Sequence, residues 1–245
     1  MVELRATTGQ GTVTLIGIAV AEGGLVATDT ASDVALVTVP QDLPVAPFAD
    51  DAALGGGSPD LMLSFVPAGG ASVALHCTTG AVTGVATAIA SGPAGGMPSI
   101  DSSPAAPSVA AGDPLLNAGG DVVGILYDAN PGSAGPATFL PSQLVVGVAD
   151  DLRSRNRVVH GWLGVAGSDA PSGTGARVDT VNAHSPALGK LTAGQVIVGV
   201  NTRPVRTMAE LRARLYVLAP GAAVAVSVQQ AAGTKVVDLT LGGSS

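Results

Sequence analysis

The stretch that decides the fold of the C-terminal part is "GQVIVGVNTRPVRTMAELRARL", residues 194 to 215. Its first half is a short run of Val and Ile that predicts a strand, and its second half has helical spacing. Thr207 is an N-cap for that helix, and Glu210, three residues later, completes a capping box. One apolar stripe follows the helix through Met208, Leu211, Leu215 and Leu218. We interpret the stripe as a core-packing face; the alternative is that part of it walls a groove.

The composition favours a chain of short strands with aliphatic cores. The chain has 245 residues, of which 47% are hydrophobic but only 2% aromatic. Its 34 Gly and 17 Pro residues indicate frequent turns. The single cysteine, Cys77, excludes an internal disulfide and a cysteine zinc site. Because His76, His160 and His184 are scattered along the chain, we expect neither a metal site nor a cofactor.

Charge is distributed unevenly along the chain, whose net charge is −7. Residues 1–152 hold fourteen acidic residues and one basic residue, whereas residues 153–245 hold four acidic and ten basic ones. This asymmetry indicates two domains with different surfaces. The acidic part disfavours nucleic-acid binding, because phosphates need cations. No run of eighteen apolar residues occurs, so we expect no membrane span here, and a leader or anchor would have to precede this sequence.

The pattern of the first 150 residues predicts a barrel or sandwich. Short runs rich in Val and Ile alternate there with clusters of Gly, Pro, Ser and Asp. Residues 141–156 then show helical spacing through Leu144, Val148 and Leu152, with arginines near the end of the segment. We take this helix as the boundary and predict domains at 1–157 and 158–245.

The second domain resembles the PDZ domains attached to HtrA (Deg) serine proteases. The stretch "HSPALGKLTAGQVIVGVNTRPVRTMAELRARL" follows the family order of an SPA motif, a GDVI-like strand entry, a VN turn and an AEL helix. It departs from the family at Gln195, the usual Asp position, and in the shortened "ALGKL". The first domain is similar to the protease domain of the same family through "DVALVTV", "MLSFVPAGG" and "GDPLLNAGGDVVGI". The resemblance implies a mainly β chain with a chymotrypsin-like double β-barrel, allowing for a truncated first barrel, followed by an α+β PDZ domain.

The resemblance places the catalytic serine loop of the family at residues 109–113, which contain no serine. The family loop Gly-Asn-Ser-Gly-Gly corresponds to residues 109–113, so Ala111 stands at the nucleophile position. β-Branched Val109 replaces the glycine whose N–H serves the oxyanion hole. Gly112 is retained, and Asp113 replaces the last glycine. We therefore expect a loop that persists as scaffold without a nucleophile.

The other two triad positions are altered as well. Ala31 falls at or near the family histidine, and Asp33 matches the triad aspartate only two residues later, where the family has tens of residues between them. Either the first barrel has lost a hairpin or the register is off by several residues. His76 and Cys77 in "ALHC" are interpreted as ordinary strand residues of the second barrel. Ser108 is an alternative displaced nucleophile, to which no base can be assigned.

The resemblance also implies a carboxylate-binding loop in the second domain. The family loop corresponds to "GWLGV", residues 161–165. Backbone N–H groups of Leu163, Gly164 and Val165 are expected to hold a terminal carboxylate, with Trp162 flanking the loop.

The remaining parts of the expected peptide site follow from the same resemblance. We expect the ligand to pair with "ARVDTV", residues 176–181, which contains Arg177 and Val178. Met208, Leu211 and Leu215 of the predicted helix are expected to form the wall of the peptide groove opposite that strand. The basic balance of the domain, including Arg177, Arg212 and Arg214, favours acidic or carboxylate-ended ligands.

The leading hypothesis is a non-catalytic HtrA-like protein that binds peptides or protein C-termini through its PDZ domain, as an adaptor, sensor or chaperone-like factor in the cell envelope. An active serine endopeptidase with a rearranged catalytic site is the alternative, and a structural protein with a closed groove is the third class. The resemblance implies a periplasmic or other extracytoplasmic location. Because residues 1–47 contain no aromatic residue, we expect a monomer rather than the aromatic-mediated trimer of the family.

Overall fold

The computed structural model divides the chain into two compact units, Met1–Arg157 and Val158–Ser245. It describes residues 2–8, 11–17, 24–38, 46–69, 72–90, 92, 94–103, 111–128, 136–155, 157–158, 160–231 and 233–243. Strands make up most of the regular structure in both units, so the predicted mainly β fold is confirmed.

The described part of the first unit consists of strands, a short 3-10 turn and one helix, α1 (Ser142–Arg155). The 3-10 turn covers Asp51–Ala53. The strands are β1 (Val2–Thr8), β2 (Gly11–Gly17), β3 (Gly24–Asp29), β4 (Val34–Thr38), β5 (Pro59–Gly69), β6 (Ser72–Ala88), β7 (Pro98–Ser103), β8 (Pro114–Leu116), β9 (Val122–Asp128) and β10 (Ala137–Pro141).

Strands β5 to β10 close into a barrel in the order β10-β7-β6-β5-β8-β9. Closure satisfies the hydrogen-bonding groups that an open sheet would leave along its edges. The barrel interior is filled mainly by aliphatic side chains, as the low aromatic content requires. Its buried core residues are Met62, Val82, Ile100, Leu115, Val123, Leu126, Ala137 and Phe139.

The four N-terminal strands form two separate antiparallel hairpins, β1–β2 and β3–β4. Four short strands are too few to close a barrel around a packed interior, since barrel diameter grows with strand number. Among the described residues, one closed barrel of the expected pair is therefore present, in agreement with the allowance for a truncated first barrel.

Helix α1 joins the β3–β4 hairpin to the barrel, because it packs against β3, β4, β9 and β10. The predicted stripe of Leu144, Val148 and Leu152 is fully buried, which confirms the helical spacing. Two ion pairs, between Asp150 and Arg153 and between Asp151 and Arg155, occupy its last turns at 2.7 and 2.8 Å.

One carboxylate lies buried in the barrel wall. Asp60 on β5 is 7% exposed, and its Oδ2 accepts a hydrogen bond of 2.7 Å from the Ser102 hydroxyl on β7. Its Oδ1 is buried without a hydrogen-bond partner among the described residues. Burial raises the pKa of the Asp60 carboxyl above its ordinary value, and the hydrogen bond from Ser102 opposes that rise only in part.

The second unit is a sheet with a helix, α2 (Met208–Tyr216), packed on it. Its strands are β11 (Gly161–Trp162), β12 (Val165–Asp169), β13 (Ala176–Val181), β14 (Val196–Val200), β15 (Arg203–Pro204), β16 (Ala223–Gln230), β17 (Gly233–Thr240) and β18 (Gly242–Gly243). The main sheet has the order β12-β13-β14-β16-β17, with β15 beside β14, and β11 pairs with β18. Its core includes Val178, Ile197, Val226, Leu211 and Leu215.

The start of α2 is held by the residues that the sequence predicts. The Thr207 hydroxyl oxygen accepts a hydrogen bond of 3.1 Å from the Glu210 N–H, which confirms the N-cap. The Glu210 carboxylate reaches one residue further back than the expected capping box, to the N–H of Arg206 at 2.7 Å. It also accepts hydrogen bonds from the guanidinium groups of Arg206 and Arg214, at 3.0 and 3.1 Å to the same oxygen. Glu210 is only 3% exposed, so it forms a nearly buried ion triad with the two arginines.

We expect Asp60→Asn to stabilise the barrel at neutral pH. The amide retains an acceptor for Ser102 and removes a buried charge. Because burial raises the pKa of Asp60 in the folded chain above 3.8, the wild type loses stability relative to the variant as the pH rises through that raised pKa. Calorimetry should therefore give a variant midpoint about 2–4 °C higher at pH 7, and a smaller difference at pH 4.

The control for this prediction is Asp238→Asn, at an exposed position of β17. It should shift the midpoint equally little at both pH values. A stabilisation by Asp60→Asn that shrinks as the pH rises would contradict the account of the buried carboxylate.

We expect Glu210→Ala to destabilise the second unit more than Thr207→Ala does. The threonine substitution removes one helix cap, worth about 1 kcal/mol. The glutamate substitution leaves two partly buried guanidinium groups without their carboxylate, a loss of about 3–5 kcal/mol. Thermal unfolding followed by the fluorescence of Trp162 measures both. Equal midpoints for the two variants would mean that the ion triad does not hold the helix.

Candidate functional site

The turn at the expected nucleophile position is attached to the barrel by backbone hydrogen bonds. Ala111 is exposed, and Gly112 adopts a left-handed φ of 95°. The Gly112 N–H donates to the Leu126 carbonyl, and the Leu126 N–H donates to the Asp113 carbonyl, both at 2.8 Å. The turn thus presents a methyl group to solvent. The other two residues of interest in this loop, Val109 and Ser108, lie outside the described residues.

The turn between β3 and β4 carries the other two triad positions. Ala31 and Asp33 are exposed, and Asp33 has a left-handed φ of 59°. Partial burial raises the pKa of the Asp33 carboxyl above its ordinary value. The polar contact that organises this turn comes from Asp29, whose Oδ2 accepts hydrogen bonds from the N–H and hydroxyl of buried Ser32, at 3.1 and 2.5 Å. Asp29 was not among the residues expected from the sequence, although an aspartate three residues before a serine is a turn signal.

The three histidines lie in unrelated settings. His76 is exposed on β6 beside Cys77, and His184 is exposed with a φ of 64° after β13. The His160 ring stacks on Tyr216 with centroids 3.7 Å apart, and its Nδ1 lies 3.3 Å from the Tyr216 carbonyl oxygen. Within the described ranges, none of these rings is hydrogen-bonded to a Ser or Thr hydroxyl. In the part of the chain that the structure describes, no three His, Cys, Asp or Glu side chains are close enough together to hold a metal ion.

The backbone of the expected carboxylate loop, residues 161–165, uses its carbonyl and N–H groups unequally. Leu163 is buried, and Gly164 has a φ of 80°. In the part of the chain that the structure describes, the N–H groups of Leu163 and Gly164 donate to no backbone carbonyl. Their carbonyls accept hydrogen bonds from the N–H groups of Ala187 and Asn182, at 3.1 and 2.8 Å. The loop is therefore anchored through its carbonyls, and the two N–H groups are available for an anion.

Glycine is required at position 164. A side chain there would collide with Ser185, and the left-handed backbone disfavours any residue with a Cβ. Half-buried Trp162 and Val165 flank the loop, with the Trp162 ring 3.2 Å from where a Cβ at position 164 would lie.

Helix α2 lies along β12 and runs in the opposite direction. The Asp169 carboxylate at the end of β12 accepts a hydrogen bond of 2.7 Å from the Met208 N–H at the start of the helix. At the other end, Gly161 packs so closely that an added Cβ would lie 3.1 Å from the Leu215 carbonyl oxygen. Met208 is half-buried, whereas Leu211 and Leu215 belong to the buried core. Leu211 and Leu215 therefore confirm the core-packing interpretation of the stripe, whereas half-buried Met208 borders the gap between β12 and α2, which we call the groove.

The structure corrects the strand expected to pair with a peptide. β13 (Ala176–Val181) lies inside the sheet, paired along its length with β12 and at its start with β14. Its Val178 is fully buried in the core. β12 lies at the edge of the sheet beside α2. An added strand therefore has access along β12, at its end next to the loop, beginning at Val165. The resemblance assigned the pairing strand by its place in the chain, and position in the chain does not reveal which strand lies at the edge of a sheet.

The arginines expected to attract acidic ligands are mostly engaged within the domain. Arg177 forms an ion pair of 2.9 Å with Asp179, and Arg214 is held by Glu210. Arg212 is exposed on α2. The i,i+2 spacing on a strand and the i,i+4 spacing on a helix place these partners on one face, and could have revealed both pairs from the sequence.

Comparison with known proteins agrees with this architecture. Residues 153–229 match the family model described as PDZ domain, a range that contains the loop, β12 and α2. No helix in the described part of the chain is long and apolar enough to cross a membrane.

Curated relatives extend the similarity beyond that domain. The probable periplasmic serine endoprotease DegP-like of Pseudomonas fluorescens is 31% identical over 147 residues, which cover 54% of this chain and 30% of the relative. The protein of the same description from Ectopseudomonas mendocina is also 31% identical, over 54% of this chain and 31% of its own length. The match therefore spans less than a third of the length of these relatives.

Solved structures share the fold over most of the chain. HtrA-type protease AlgW with tripeptide has a TM-score of 0.60 at 18% identity, covering 97% of this chain and 80% of that chain. HtrA-type protease AlgW with decapeptide has a TM-score of 0.56 at 20% identity, covering 91% and 72%. The PDZ match and the curated relatives thus support homology of the matched parts of the chain with HtrA/DegP-type serine proteases that have a PDZ domain, and the solved structures show that the chain shares their fold.

Proposed function

We propose that this chain is a non-catalytic HtrA-like protein that binds peptides or protein C-termini through its PDZ domain. In this proposal it acts as an adaptor, sensor or chaperone-like factor in the cell envelope. The observation that carries the non-catalytic part is the exposed methyl group of Ala111 in the turn where the family presents its serine. A methyl group cannot form the covalent acyl intermediate of this chemistry.

The surroundings of Ala111 support the same conclusion. A serine hydroxyl needs an adjacent base because it is a weak nucleophile at neutral pH. Among the described residues, His76, His160 and His184 make no hydrogen bond to any hydroxyl. Ala31 offers no imidazole that Asp33 could orient, so Asp33 has no part in a triad.

An active serine endopeptidase with a rearranged site remains the alternative, and the names of the curated relatives favour it. Its nucleophile would have to be a serine outside the family position, such as Ser108. A fluorophosphonate probe separates the two functions, because it labels an activated serine wherever that serine lies in the chain. Labelling that denaturation abolishes would establish the alternative, and the absence of labelling supports the non-catalytic proposal.

Peptide binding is supported by the combination of an anion-ready loop and a strand edge. The N–H groups of Leu163 and Gly164 point to capture of a terminal carboxylate, and β12 offers an edge for strand pairing. The apolar side chains of Val165, Met208 and Leu215 beside them favour an apolar C-terminal residue. Two of the solved AlgW structures contain a tripeptide and a decapeptide. We propose a ligand of that class here.

The same proposal includes a location outside the cytoplasm, since the curated relatives are described as periplasmic. It also includes a monomer, because no aromatic residue stands in residues 1–47 to build the family's trimer contact. Light scattering of the purified chain tests the monomer, and a trimer mass would contradict it.

We expect the Ala111→Ser variant to remain without peptidase activity. The new hydroxyl has no base to accept its proton, and removing triad members lowers the rate by a factor on the order of 10⁴ or more. Casein turnover by the wild type and the variant measures this, with a serine-directed inhibitor as the control. Inhibitor-sensitive turnover by the variant would contradict the assignment of a dismantled site.

We expect the chain to bind C-terminal peptides with micromolar affinity, about −8 kcal/mol. Ligands whose terminal carboxylate is amidated should bind at least about tenfold more weakly, because the loop amides then lose an ionic acceptor. Titration calorimetry with a library of peptides ending in Val, Leu or Phe measures both quantities. Equal binding of acid and amide forms would remove the carboxylate-loop assignment.

A matched pair of glycine variants localises that binding. Gly164→Ala should reduce affinity at least about tenfold, because the added methyl collides with Ser185 and distorts the loop. Gly173→Ala introduces a similar backbone strain, at a φ of 77°, in open space and should leave affinity unchanged. Similar losses for the two variants would indicate a general effect of strain instead of a site at the loop.

A further inference from the structure

At the end remote from the carboxylate loop, a hydrogen bond between β12 and α2 closes the groove between them. The Asp169 Oδ1 accepts the N–H of Met208 at 2.7 Å, and the two residues are 39 positions apart in the sequence. Asp169 is the last residue of β12, and Met208 is the first residue of α2. The carboxylate also lies at the positive end of the helix, where a negative charge is favourable. This contact sets how close the helix stands to that end of the strand.

The Met208 side chain covers the middle of the same strand. A Cβ at Gly167 would lie 2.6 Å from the Met208 Cε, and it would also collide with the Arg177 carbonyl. Position 167 therefore accepts glycine alone, and the Met208 methyl group rests on the backbone there. The space between strand and helix is already occupied at this level.

The strand pairing is also irregular at this point. The register of β12 against β13 shifts between Ala166 and Gly167. A bulge of this kind breaks the alternation of N–H and C=O groups on which a regular added strand depends. A ligand lying along β12 thus meets a change in hydrogen-bonding pattern where it also meets Met208.

These three features leave only a short part of the β12 edge with which a ligand strand can pair. It begins at the carboxylate loop and continues from Val165 to Gly167, about 7 Å at roughly 3.3 Å per residue. A ligand paired one residue to one residue fills this edge with about three residues. Beyond it, the Asp169–Met208 hydrogen bond holds the helix against the strand.

We propose that Asp169 acts as a specificity-determining residue that limits recognition to about the last three residues of a ligand, by holding α2 against the end of β12. The inference rests on the proposed peptide binding and deepens it. Residues further from the C-terminus leave the groove and contribute no affinity. The chain then reads only the end of a polypeptide, whatever precedes that end.

The test compares ligand length on the full chain. The probes are the tightest three-residue ligand from the C-terminal peptide library, and the same sequence extended at its N-terminus with Val-Thr residues to five and eight residues. For the wild type we expect dissociation constants within about twofold of one another. A steady gain with length, of about fivefold or more at eight residues, would overturn the proposal while leaving peptide binding intact. Binding of no peptide of any length would overturn both.

Variants at position 169 test whether Asp169 sets the length of ligand that contributes to affinity. Asp169→Ala releases the Met208 N–H, so the eight-residue ligand should bind at least about threefold more tightly than the three-residue ligand. Asp169→Asn retains an acceptor oxygen and should behave as the wild type does. Asp179→Ala, which removes an exposed carboxylate of β13, serves as the charge-matched control and should also show no length dependence. Length independence in Asp169→Ala would show that Asp169 does not set the limit.

Nuclear magnetic resonance of the wild-type protein tests the proposal without any variant, in case a variant folds poorly. In wild-type protein, the amide proton of Met208 should exchange slowly, and ligands of three and eight residues should perturb the same set of β12 resonances. Perturbation that spreads to Ser168 and Asp169 only with the longer ligand would contradict the proposal.

Discussion

The buried carboxylate of Glu210 is the interaction on which the position of helix α2 depends. It holds the Arg206 backbone and the guanidinium groups of Arg206 and Arg214, while its own N–H is held by Thr207. A carboxylate at that depth would be costly without these partners. Because they fix where α2 begins, they also fix Met208, and through it the width of the groove.

The barrel and the turn at Ala111 are held together by backbone atoms. The turn at Ala111 is held by two backbone hydrogen bonds, in which the Gly112 N–H donates to the Leu126 carbonyl and the Asp113 carbonyl accepts from the Leu126 N–H. The hydrogen bonds that pair β5 to β10 are likewise formed by the backbone. The identity of the residue at position 111 therefore has little effect on the turn. α1 contributes further through Leu144, Val148 and Leu152, which are distant in sequence from that turn. The stability of the turn therefore rests on backbone atoms and on a distant apolar stripe.

Within the PDZ domain, several charged side chains form ion pairs or hydrogen bonds with other groups of the same domain. Arg177 and Arg214 are paired with Asp179 and Glu210, and the Asp169 carboxylate caps a helix that is not its own. The surface at the loop consequently consists of backbone N–H groups and apolar side chains. Under the proposed peptide binding, such a surface distinguishes a chain end from a chain interior more strongly than it distinguishes one charged side chain from another.

The sequence by itself determined what depends on near neighbours: the mainly β composition, the α1 stripe, the Thr207 cap and the absence of a hydroxyl or thiol at Ala111. Each of these follows from residue type and from spacings of a few residues, which local backbone geometry converts into faces and caps. The tertiary structure alone decided that β12, and not β13, borders α2, and that Asp169 meets Met208 across 39 positions. The physical reason is that strand order and helix docking are set by how whole faces pack around a shared core, and the spacing within one segment carries no record of which other segment it will meet.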